Sequence, residues 1–201
     1  MKKAILFCTL FSLVSLAYAQ QGRTIQDFYN QFTKKVPAVL SAHGVTAGQT
    51  TWKQELIDLK NGYVKFSVVD KSTMQPDMEC ASYEMAVWKT AAGSLIIGVF
   101  PTYCGGEGCG GQLNNLRFFN TSWKDITDEV IDKDAIISKA RRSQFSNNYT
   151  PSGDFFSAEM ECSVVIPRQG TTLSVTPRLA GMAEGTAISI KFDKASGRFV
   201  L

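Results

Sequence analysis

Apolar positions along this chain follow three patterns in turn: one unbroken run, then helical spacing, then strand spacing. The helical stretch is TIQDFYNQFTKKVPAVLSA, Thr24 to Ala42. Ile25, Phe28, Phe32 and Val36 recur there at intervals of three and four, with Tyr29 widening the same face, which predicts an amphipathic helix. Thr24 with Asp27 approximates a capping box at its start, and Pro37 ends or kinks it. An aromatic face of this kind suits a helix laid on a sheet.

The period then shortens. In ELIDLKNGYVKFSVVD the Asn61-Gly62 pair reads as a two-residue turn between strands. That register sets Lys60 opposite Tyr63, Leu59 opposite Val64, Asp58 opposite Lys65 and Ile57 opposite Phe66. One face gathers the apolar residues and the other pairs opposite charges. A second hairpin runs from CASYEMAVWK through TAAGS to LIIGVFPTY, with Tyr83, Met85 and Val87 alternating against Glu84, Ala86 and Trp88. Centred near Ala92, its register puts Lys89 opposite Leu95 and, continued outward, Cys80 opposite Cys104. LNNLRFF and SWKDIT are candidate strands, and DKDAIISKARRSQF predicts a short helix from about Asp134. The tail offers four more strands, AEMECSVVIP, TTLSVTP, GTAISIKFD and GRFVL, the last two joined by a turn at Asp193 to Gly197.

Helix first and hairpins after predict an α+β fold. The N-terminal helix packs on a largely antiparallel sheet built from successive hairpins, with a short second helix; a β-sandwich or partly closed barrel is the alternative. Regular strand-helix alternation is missing, which argues against a parallel α/β sheet.

The unbroken run opens the chain. MKKAILFCTLFSLVSLAYA places Lys2 and Lys3 before 14 uncharged, mostly apolar residues from Ala4 to Ala17. Ala17 and Ala19 stand three and one residues before a cut at Gln20, so residues 1–19 read as a secretory signal peptide. Residues 20–201 form the expected single domain, secreted or periplasmic. Without the leader, 19 basic residues face 18 acidic ones, which gives no electrostatic case for nucleic acid or an anionic membrane surface. No second apolar run reaches spanning length, so no integral membrane segment is expected after cleavage.

Cys80, Cys104, Cys109 and Cys162 survive the cut, and an even number in an exported chain predicts two disulfides. Cys104–Cys109 with Cys80–Cys162 is the preferred connectivity; Cys80–Cys104 with Cys109–Cys162 follows from the hairpin register. The stretch FPTYCGGEGCGGQLNNL carries two of these cysteines among five glycines. It lacks the lysine of a phosphate-binding loop and runs into a strand-like segment rather than a helix. Its Cys-x4-Cys spacing fits neither a zinc knuckle nor a redox pair, and no cofactor or metal is expected. A pinned glycine-rich loop remains, with Tyr103, Glu107, Gln112 and Asn114 as candidate binding contacts.

No catalytic residue is assigned. The sequence holds no Gly-x-Ser-x-Gly elbow and no His-Glu-x-x-His, and its one histidine, His43, lies beside no marked nucleophile. Glu79, Glu84, Glu107 and Glu161, and the acidic run Asp125, Asp128, Glu129, Asp132 and Asp134, supply carboxylates without selecting a pair. The acidic run lacks the order of a calcium loop and reads as a solvated surface. The leading expectation is a non-catalytic exported protein binding another macromolecule, an extracytoplasmic protein or glycan, as an inhibitor or envelope accessory. A small carboxylate-dependent hydrolase acting on glycan or peptide, and a structural or surface protein, are the alternatives.

Overall fold

The computed structural model describes residues 22–37, 51–68, 80–105, 108–145, 160–179 and 184–201. Residues 1–19, expected as a signal peptide, and His43, Glu79 and Glu107 lie outside them.

Helix α1 (Ile25–Lys34) forms where the spacing predicts it. The Asp27 carboxylate accepts from the Thr24 amide at 2.7 Å and from the Thr24 hydroxyl at 2.9 Å, so the box closes with Asp in place of Glu. Ile25, Phe28, Tyr29 and Phe32 are buried on one face.

The strands form two antiparallel sheets. The first orders β1 (Trp52–Asp58), β2 (Tyr63–Val68), β3 (Cys80–Lys89), β4 (Leu95–Gly105) and β5 (Gly108–Gly110), while β6 (Arg117–Phe119) pairs a second stretch of β4. The second orders β10 (Arg198–Val200), β9 (Ile188–Asp193), β8 (Thr172–Leu179) and β7 (Met160–Val165). Between them run a 3-10 turn (Leu113–Asn115), α2 (Thr127–Val130) and α3 (Lys133–Phe145). The described residues form no closed barrel. LNN, expected as strand, is the 3-10 turn, and SWKDIT contributes only a bridge between Asp125 and Phe119 before α2 begins.

The first sheet is covered on both faces, and alternation along its strands sorts the side chains. Val64, Phe66, Tyr83, Met85, Ile97 and Val99 join α1 in one buried cluster. Tyr63, Ala86, Trp88, Ile96, Phe100 and Phe118 point the other way, into a second cluster shared with Val164, Leu173, Val175, Ile190 and Phe192 of the second sheet. Helix α3 adds Ile136 and Ala140 to that inter-sheet core. The layers therefore run helix, sheet, sheet.

The β3–β4 register agrees with the sequence reading from Lys89↔Leu95 out to Cys80↔Cys104, and Pro101 sits within the ladder opposite Tyr83. The β1–β2 hairpin differs by two residues: Ile57 faces Val64 and Asp58 faces Tyr63, leaving Leu59 to Gly62 as a four-residue turn. Asp58 decides this. Its carboxylate accepts from the Asn61 backbone at 3.1 Å, the Asn61 side-chain amide at 2.9 Å and Arg168 Nε at 2.9 Å. A shift of two keeps every side chain on its own face, so the apolar set survives and only Leu59 is expelled, 60% exposed. Lys65, expected opposite Asp58, stands opposite Glu84 on β3 instead.

The expected disulfides are not found: among the described residues no pair of Sγ atoms stands at bonding distance. Cys104 is flanked in the ladders by Cys80 on β3 and Cys109 on β5, and Cys162 is a buried free thiol on β7. The two sheets are linked by backbone. The Val164 amide donates to the Gly111 carbonyl at 3.3 Å, and Gln112 forms a bridge with Ser163. Gly111 permits that approach, because a Cβ there would collide with the Phe100 ring.

Candidate functional site

The glycine-rich stretch ends by delivering the chain to a groove. After Gly111, the 3-10 turn buries Leu113 and directs the carbonyls of Asn114 and Leu116 toward β6 and the start of α3. Two cations meet on those carbonyls. Arg117 Nη1 donates to Asn114 O at 2.6 Å and Leu116 O at 3.2 Å; Lys133 Nζ donates to Asn114 O at 3.0 Å and Leu116 O at 2.7 Å. Carbonyls orient both groups but cancel neither charge.

Across from them the segment after β6 turns into α2. The Asp125 carboxylate accepts from the Thr127 amide at 2.8 Å and its hydroxyl at 2.6 Å. The buried Thr127 hydroxyl in turn accepts from the Phe118 amide at 3.0 Å, so α2 is anchored to β6. Asp128 and Glu129 follow on the exposed side of α2. Asn114, Arg117, Asp125, Ile126, Thr127, Asp128, Glu129 and Lys133 enclose a groove of about 640 Å³. Burial holds the Lys133 amine well below the usual lysine range, at about 8, with Arg117 pushing the same way and Asp125 and Asp128 opposing.

A second polar group lies on the inter-sheet side of β2 and β3. Tyr63 is buried and its phenol is bonded to Glu84, with Lys65 nearby. Burial raises both, and the Glu84 charge adds to the rise at Tyr63, while the Tyr63 bond and Lys65 oppose it at Glu84. Glu84 is thus engaged by its neighbours rather than open to a substrate.

Of the four contacts expected from sequence, Asn114 lines the groove. Gln112 is exposed beside it and donates to Glu161 Oε1 at 3.4 Å across the sheet junction. Tyr103 lies in the ladder opposite Ala81 and Gly110, and Glu107 falls outside the described residues. Arg117 and Lys133 were missed because they stand 16 residues apart, Lys133 within the acidic run, and come together only through carbonyls of a turn that reads as strand. Asp125, Asp128 and Glu129, read as solvated surface, form the opposite wall. No group of metal-ligating side chains occurs among the described residues, and none of their helices is long and apolar enough to cross a membrane.

No family model matches the chain, and no curated protein does. A solved domain of an uncharacterized protein from Porphyromonas gingivalis W83 is similar over 81% of this chain and 84% of that one, with 16% identity and a TM-score of 0.44.

Proposed function

We propose that this is an exported, non-catalytic protein that binds an extracytoplasmic protein partner through the groove and the adjoining Gln112–Asn114 turn. The observation that carries this reading is a groove whose charged walls are already oriented by their own chain: Arg117 and Lys133 by two carbonyls, Asp125 by Thr127. Groups fixed before contact lose little freedom on binding. The wall offers both signs of charge, which suits a polypeptide surface, and none of its lining residues is aromatic to stack on a sugar face. Asp125 is committed to Thr127, which weighs against a free acid/base pair at this place.

The test is affinity capture with purified mature protein from the producing organism's extracytoplasmic extract and medium, with bound species identified by mass spectrometry. A single saturable partner is expected, its affinity falling by about 30-fold or more in a Gln112→Ala/Asn114→Ala/Asp128→Ala variant, as for a binding hot spot. A Lys194→Ala control in the β9–β10 turn retains it. Capture that survives the triple variant unchanged assigns the contact to another surface and overturns the reading.

A further inference from the structure

We infer that Lys133 is a nucleophilic amine site, which takes a carbonyl compound bearing an acidic group and condenses with it as a reversible imine. The inference goes beyond partner binding and does not depend on it.

The geometry supplies three elements. First, the two carbonyls of Asn114 and Leu116 take two of the three donor positions on Nζ. A carbonyl carries no formal charge, so this cradle orients the nitrogen while holding its proton less strongly than a carboxylate would. When the third proton leaves, a lone pair takes its position, and Lys133 lines the groove. Second, Arg117 reaches the same two carbonyls through Nη1, which fixes a second cation beside the amine. The Nη2 edge of its guanidinium remains as a donor for the acidic group of an incoming compound. Third, the groove is large enough for a small molecule, at about 640 Å³.

The charge environment is consistent with this role. Lys133 titrates at about 8 through burial first and Arg117 second, and Asp125 and Asp128 from the facing wall moderate the effect. An unperturbed lysine amine titrates near 10.4, and reactive lysines are made by this kind of desolvation beside another cation. In the step itself, the Nζ lone pair attacks the carbonyl carbon and a C–N bond forms. The two N–H protons leave the carbonyls of Asn114 and Leu116, to which Arg117 Nη1 stays bonded, and depart with the carbonyl oxygen as water, which leaves the imine. No oxidant or reductant enters.

The probe is pyridoxal 5′-phosphate, which joins an aldehyde to a phosphate. The full mature protein is exposed to a limiting amount at a series of pH values, trapped with borohydride and mapped by peptide mass spectrometry. Lys133 is expected to label on the order of tenfold faster than exposed Lys194 near pH 8, with a rate that levels off above about that pH. Pyridoxal, which lacks the phosphate, should lose most of that preference, and so should Arg117→Ser with the phosphate probe. Circular dichroism on Arg117→Ser and Lys133→Met establishes that the fold is retained, and Lys133→Met should lose the favoured label. Labelling of Lys133 no faster than Lys194 in the native protein overturns the inference. So does a preference that is the same with and without the phosphate.

Discussion

At the scale of single residues, Gly111 shows how a glycine-rich run can be specific at one position. The Phe100 ring lies where its Cβ would be, and its carbonyl holds the Val164 amide of the other sheet. Gly111→Ala must therefore displace a buried aromatic ring and strain the junction between sheets. Overpacking of this kind costs about 1–3 kcal/mol, read as a lower urea midpoint with an unchanged denaturant slope. Asp58 makes a prediction of another kind. Its carboxyl is held at about 2, below the unperturbed 3.8, by the Asn61 side chain first and Arg168 second. A folded-state value below the unfolded one contributes stability that is present above about pH 4 and is lost as the pH falls toward 2. Asp58→Ala should thus lower the melting temperature at neutral pH, and the gap to wild type should close through that acid window. The sequence marked Asp58 as a charge on a strand but paired it with Lys65. Its real partner, Arg168, lies 110 residues away, a distance no local pattern spans.

Among the elements, α1 was the most legible and is the most directly testable. Its apolar face predicted both the helix and the sheet beneath it, because the helical repeat of Ile25, Phe28 and Phe32 needs an apolar cover. Phe32 is fully buried, with its ring 5.4 Å from Phe66, 5.7 Å from Tyr83 and 5.5 Å from Trp52, centre to centre. Phe32→Ala should cost about 3–5 kcal/mol in urea unfolding, whereas a loss under 1 kcal/mol would show a helix only loosely docked. The β3–β4 hairpin was legible for a similar reason: alternation over ten residues leaves one register that buries both apolar faces of the pair. The β1–β2 hairpin was less so, since a shift of two preserves the alternation and the turn chemistry decides. The groove was the least legible. Its cation pair depends on where two carbonyls of a short 3-10 turn point, and hydrophobic patterning says nothing about carbonyl direction.

For the whole molecule, the division of the strands into two sheets changes what the cysteines mean. An even set of cysteines behind an expected leader invites disulfides, but here packing and a backbone link join the sheets, and Cys162 lies 3% exposed between them. Burial pushes its thiol up, which further slows attack on any reagent. Iodoacetamide should leave Cys162 unmodified in the native protein and modify it fully in denaturant. Recovery of a peptide crosslinked through Cys162 from unreduced protein would overturn that account. The layering has one more consequence, an optical one. The three tryptophans are distributed between the two sides of the first sheet: Trp52 and Trp123 pack with the α1 aromatics, while Trp88 packs against Phe192 and Phe199 of the second sheet. Replacing Trp52 and Trp123 with Phe leaves a single emitter on the inter-sheet side, and replacing Trp88 instead darkens that side. Emission from the two proteins during unfolding would then show whether the helix lifts away before the sheets part, or whether both interiors flood with water at once.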